Sequence, residues 1–199
     1  GTLQVRPARE IAASSLGVGM ECLDRRMYLP EKTYGHLAAL GVKWARVQTG
    51  WSRCETSQGV HDFAWLDEVV DAIRAVGVQP WFNVGYGNQL YTPDAPDVSA
   101  VGWTPTANRQ AREGWVRFVS ALAQHFRGRV QHWEIWNEPN IKMFWQPFSP
   151  SPEGYMDLVK LTAPAIRAGI PDAILVGGGL AGMPTDFLTG CLERGLAKE

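Results

Sequence analysis

Five strand-length apolar runs alternate with amphipathic helices along this chain, and that alternation restricts the fold more than any other feature of the sequence. The runs are Leu16 to Leu23, Val42 to Gln48, Val78 to Val84, Val130 to Trp136 and Ala173 to Gly177. Helices are predicted before each of the last four, at about Glu31 to Leu40, Phe63 to Val76, Asn108 to Phe126 and Pro152 to Ala168, with a final one near Asp186 to Leu196. Leu66, Val69, Val70 and Ile73 recur at helical spacing behind Asp62, a residue type suited to an N-cap. Ser151-Pro152-Glu153 reads as cap, first turn and acidic start, and Pro164 kinks that helix or marks its last turns. Strand followed by helix, five times over, is the order of a parallel sheet with right-handed crossovers.

The two registers within the strands differ in chemistry. One carries Val18, Met20 and Cys22; Ala45 and Val47; Phe82 and Val84; Trp133 and Ile135, a surface suited to a helix layer. The other carries Gly19 and Glu21; Trp44, Arg46 and Gln48; Gln79, Trp81 and Asn83; His132, Glu134 and Trp136. A doubly wound sheet buries both faces against helices, whereas a barrel turns one face inward and can keep it polar near a site. The sequence therefore reads as an α/β fold, a TIM-type (β/α) barrel, with only the first five βα units in this chain. A complete barrel has eight units and about 250 residues. The expectation is a single partial barrel domain over residues 1–199, with the three carboxyl-terminal units missing. Open edges at the first and fifth strands would invite self-association, or a partner chain that completes the barrel.

Composition removes several function classes. The 19 Lys and Arg nearly balance the 20 Asp and Glu, with no basic run, so no nucleic-acid partner and no anionic membrane surface is expected. The longest apolar and glycine-rich stretch, Ala173 to Met183, is too short to span a bilayer. Cys22, Cys54 and Cys191 cannot all pair and show no Cys-x-x-Cys spacing, and His36, His61 and His125 show no ligand spacing, so no metal is expected. The Gly1-Thr2-Leu3-Gln4 start has no leader pattern and no initiator Met, which suits a processed or recombinant product. Gly177, Gly179 and Gly182 match G-x-G-x-x-G, but Pro184 makes the next helix begin after the third glycine. In a dinucleotide site that helix is already under way there, so no nucleotide cofactor is expected.

The most informative stretch is His132-Trp133-Glu134-Ile135-Trp136-Asn137-Glu138-Pro139-Asn140, at the carboxyl end of the fourth strand, where barrel active sites lie. A glutamate where a strand runs out, flanked by Asn and two Trp, suits a general acid. Glycoside cleavage needs such a group to protonate the leaving oxygen, with a second carboxylate on the other face of the sugar. Glu134, on the same strand, would lie below the sugar, and its simplest role is an ion pair with Arg46; Glu21 would pair with Arg46 or another interior polar group. Strict alternation cannot aim both Asn137 and Glu138 inward, so the strand is expected to bend or bulge there. The nine Trp favour sugar stacking as well as packing. Long connections after the third and fourth strands place Trp145 and Tyr86 as stacking candidates, followed by Trp51.

Trp136-Asn137-Glu138-Pro139-Asn140 resembles the acid/base signature of clan A retaining glycoside hydrolases, and with Glu134-Ile135 before it most resembles glycoside hydrolase family 39. Asp62-Phe63-Ala64-Trp65-Leu66-Asp67 resembles that clan's second-helix start, and Gly195-Leu196-Ala197-Lys198 resembles the approach to strand six. The resemblance implies a glycosidase with Glu138 as general acid/base, Asn137 on the sugar 2-hydroxyl and Arg46 steadying the nucleophile carboxylate. It implies a poly- or oligosaccharide substrate, no cofactor and a nucleophile beyond Glu199, and it favours a secreted or periplasmic location. Gln48, taken as a substrate contact, stands where many members carry His, a departure that weighs against a xylosidase. The rival expectation is a non-catalytic carbohydrate-binding or scaffold protein on the same partial barrel.

Overall fold

The computed structural model describes residues 5–199, so the Gly1 to Gln4 start lies outside the described residues. Five parallel strands form one sheet in chain order: β1 (Gly17–Met20), β2 (Trp44–Gln48), β3 (Gln79–Val84), β4 (His132–Ile135) and β5 (Ile174–Val176). Unbroken chain order is what a barrel requires, whereas a doubly wound sheet reverses direction at a switch point. The connecting helices are α1 (Tyr34–Leu40), α2 (Trp51–Cys54), α3 (Ala64–Ala75), α4 (Arg109–His125), α5 (Pro152–Gly169) and α6 (Thr185–Glu193). All the expected strands and helices are present, with ends moved by a few residues, and the one-turn α2 is the addition.

Local chemistry explains the starts. The Asp62 carboxylate accepts from the Ala64 amide at 2.9 Å just ahead of α3. Asn108 Oδ1 accepts from Ala111 at 2.8 Å to open α4, and Ser151 Oγ accepts from Gly154 at 3.0 Å to open α5. Pro164 neither ends nor shortens α5, which runs on to Gly169. In α6 the first residue is Thr185, directly after Pro184, so the glycine run precedes the helix instead of opening it.

The two registers separate as their chemistry requires. Ala45, Val47, Phe82, Val84, Trp133 and Ile135 are buried beneath the helices, where Phe82 meets Phe126 and Trp133 edge-on. Trp44, Arg46, Trp81 and His132 point the other way and are half-buried, lining an inner cleft of about 480 Å³. His132 stands edge-on to Trp44 with centroids 4.6 Å apart, and burial lowers its pKa from the ordinary imidazole value. Among the described residues no helix is long and apolar enough to cross a membrane, and no three His, Cys, Asp or Glu side chains cluster as metal ligands.

The long connections after β3 and β4 fuse into one wall. Thr104 N donates to Gln146 O at 2.8 Å and Gln146 N to Gly102 O at 2.7 Å. Gly102 is required at that seam: its φ is +77°, and a side chain would run into the Met143 carbonyl.

Candidate active site

Strand β4 stops at Ile135, and the chain then turns through two left-handed residues, Trp136 at φ +69° and Glu138 at φ +46°. Side-chain-bearing residues rarely adopt this conformation, so the surroundings must hold it. They do so from both sides, β3 and the segment after β5. Trp136 N donates to Val84 O at 3.1 Å, and Asn83 Nδ2 donates to Trp136 O at 2.6 Å. Glu138 N donates to Gly179 O at 2.7 Å. The expected bend is thus a tight turn that leaves Asn137 and Glu138 adjacent and both half-buried. Among the described residues no side chain hydrogen-bonds to the Glu138 carboxylate.

The same turn corrects the placement of Trp136. Instead of joining the polar inner register, its indole is fully buried between Tyr86, Trp115 and Trp145, with Nε1 donating to Phe144 O at 2.7 Å. The positive φ rotates the side chain off the strand's alternation.

Arg46 organises the polar interior. Its Nε and Nη2 grip Glu134 at 2.5 and 2.9 Å, Nη1 reaches Glu21 at 2.6 Å, and Nη2 also donates to Asn137 Oδ1 at 2.9 Å. A guanidinium has five N–H groups in a fixed fork, and one on Nη1 remains beyond these four bonds. Burial opposes the charge, but the hydrogen bonds and attraction of Glu134, then those of Glu21, outweigh it and hold Arg46 more firmly protonated than usual. The structural ion pair considered for Arg46 and Glu134 is present, and Glu21 joins it. Because Asn137 spends its oxygen on Arg46, its Nδ2 group is left as the donor end of the side chain.

The aromatic expectations need correction. Trp145 is 1% exposed, edge-on to Trp136 and Tyr155 and seated over Gly154. Trp51 is 0% exposed, stacked between Tyr91 and Phe118. Tyr86 is 2% exposed, with Phe144 stacked on its ring at 5.4 Å. None of the three offers a free ring face. Gln48 is likewise buried, its Oε1 accepting from Cys22 N at 3.0 Å and its Nε2 donating to Tyr86 Oη at 3.2 Å, which ties together the ends of β1, β2 and the loop after β3. Phe144, beside Trp145 in the same loop, is half-buried and covers Tyr86. No periodicity distinguishes the two in an irregular loop.

A second carboxylate, Glu55, is buried directly after α2. Glu55 is 1% exposed and accepts from Trp51 Nε1 at 2.5 Å, Gly59 N at 2.7 Å and the Tyr91 hydroxyl, with His61 Nε2 at 3.3 Å. It knots α2 to the loop after β3 and lies among packed aromatics.

Comparison with known proteins agrees with the fold. Residues 41–195 match the family described as Glycosyl hydrolases family 39. The chain is 28% identical over 149 residues to a β-xylosidase from Geobacillus stearothermophilus, covering 67% of this chain and 28% of that protein. A β-xylosidase from Caldicellulosiruptor saccharolyticus is 26% identical over 154 residues, covering 70% and 30% respectively. Among solved structures, a family 39 glycoside hydrolase from Bacteroides cellulosilyticus WH2 superposes with a TM-score of 0.69 at 23% identity, over 96% of this chain and 36% of that one. The chain thus spans under a third of the length of the two curated relatives. With the match running from the approach to β2 past the end of α6, the chain belongs to glycosyl hydrolases family 39.

Proposed function

We propose that this chain carries the acid/base side of a retaining O-glycoside hydrolase acting on an oligo- or polysaccharide. Glu138 is the general acid/base, and the nucleophile comes from outside these 199 residues. The observation that carries this reading is the turn after β4, which sets an unengaged carboxylate beside an asparagine whose oxygen is held by Arg46. In the first step the Glu138 carboxylic acid gives its proton to the leaving glycosidic oxygen while the nucleophile attacks the anomeric carbon. In the second, the Glu138 carboxylate takes a proton from the water that releases the sugar. Asn137 Nδ2 donates to a sugar hydroxyl, and the spare Nη1 hydrogen of Arg46 is available to the nucleophile. Glu134 and Glu21 are unsuited to that role because both are already held by Arg46. Phe144 replaces the buried Trp145 as the aromatic that contacts sugar.

The relatives' names make β-xylosides the first substrates to try. In the protein with its nucleophile-bearing segment, Glu138→Gln should lower kcat/KM, which reports the first step, by about 10²–10⁴-fold for sugar or alkyl leaving groups. The kcat/KM for an activated aryl xyloside should fall far less. Equal losses on both would remove Glu138 as the acid, and glycan binding without any turnover in the wild type would favour a non-catalytic scaffold.

A further inference from the structure

The segment after β5, set aside above as a nucleotide motif, is the saddle on which the Glu138 turn rests. Ladder pairing between β4 and β5 ends at Glu134 and Val176. Beyond that point residues 177–182 still follow the chain 135–140, but side chains take over the ladder. Tyr155, reaching up from α5, donates its hydroxyl to Ile135 O at 3.0 Å and accepts from Gly178 N at 3.0 Å. Asn140 closes the far end: Nδ2 donates to Ala181 O at 3.0 Å and Oδ1 accepts from Ala181 N at 2.9 Å, a side-chain amide acting as a missing strand residue. Between these two ties sits the 2.7 Å bond from Glu138 N to Gly179 O. Gly179 permits the close approach, because a Cβ there would land on the Glu134 carboxylate that Arg46 holds.

We infer that Asn140 is a positioning residue for Glu138, acting through the backbone of residues 179–181. Its side chain makes no bond to the Glu138 carboxylate. It fixes Ala181, and with it the Gly179 carbonyl that anchors the amide of a left-handed glutamate. Releasing Ala181 frees that carbonyl, and the Glu138 carboxylate loses its aim while Asn137, held separately by Arg46, keeps its place. The inference rests on Glu138 being the acid.

The test is a cycle of Asn140→Ala, Glu138→Gln and the double variant, in the protein with its nucleophile-bearing segment. Misplacement of a reacting group by about 1 Å costs up to about 10²-fold. Asn140→Ala should therefore lower kcat/KM, which reports the leaving-group step, by about 10–100-fold on a sugar leaving group, with little change in kcat/KM on an activated aryl glycoside. In the Glu138→Gln background it should cost nothing further. Amide hydrogen exchange on the 199-residue chain should show faster exchange at Glu138 as well as Ala181, with β2 and β3 unchanged. Equal loss on both leaving groups, an additive double variant, or unchanged exchange at Glu138 overturns the inference. A Glu138→Gln variant without leaving-group dependence overturns the acid assignment, and the inference with it.

Discussion

At the scale of single residues, the site depends on one guanidinium doing several jobs at once. Arg46 neutralises Glu134, ties Glu21 and turns Asn137, so the polar register of β1, β2 and β4 is a connected network instead of separate subsites. That much was legible in the sequence, because Arg46, Glu134 and Glu21 share the inward register and charges there need partners. Trp145, Tyr86 and Trp51 were misread for the opposite reason: in irregular loops no alternation reports which way a ring faces. His132 gives a pH prediction. Its lowered pKa means the unfolded chain takes up a proton that the folded chain resists. Stability should fall as pH drops from 7 through the ordinary imidazole value near 6.5. His132→Asn should flatten that slope in thermal melts of the 199-residue chain at pH 7 and 5. A slope identical to wild type would show that His132 contributes none of it.

At the scale of elements, legibility followed periodicity. Strands and helices were placed because alternation and 3.6-residue spacing run through them, and the Ser151 cap marked the start of α5. The turn after β4 was anticipated as a bend, since Asn137 and Glu138 cannot both follow the pleat. Its form was not, because left-handed Trp136 and Glu138 are selected by bonds to Val84, Asn83 and Gly179, which come from other units. The fused wall over β3 and β4 was similarly hidden. In that wall Trp145 is a core residue, packed on Trp136 and Tyr155. Trp145→Ala should destabilise the chain by about 3–5 kcal/mol in denaturant titrations, the cost of deleting a buried aromatic. Unchanged stability combined with weakened glycan binding would restore Trp145 to the sugar site.

At the scale of the whole molecule, the proposed reading gives these five strands the acid/base side of a retaining site and leaves the second carboxylate to strands they do not include. Retaining cleavage needs two carboxyl groups about 5–5.5 Å apart. The 199-residue chain alone should therefore show no turnover of aryl or oligomeric glycosides, and activity should appear when a polypeptide supplying the remaining strands is added. Robust turnover by the chain alone would oblige a search for the nucleophile within it. The chain order of the sheet has a consequence of another kind. Since each strand pairs with the one made just before it, every new βα unit finds its docking edge already in place as it leaves the ribosome. Pairing between neighbours in sequence keeps loop-closure entropy low and lets the sheet grow from its amino-terminal end, so that one edge advances at each stage of synthesis while the β1 edge stays in place.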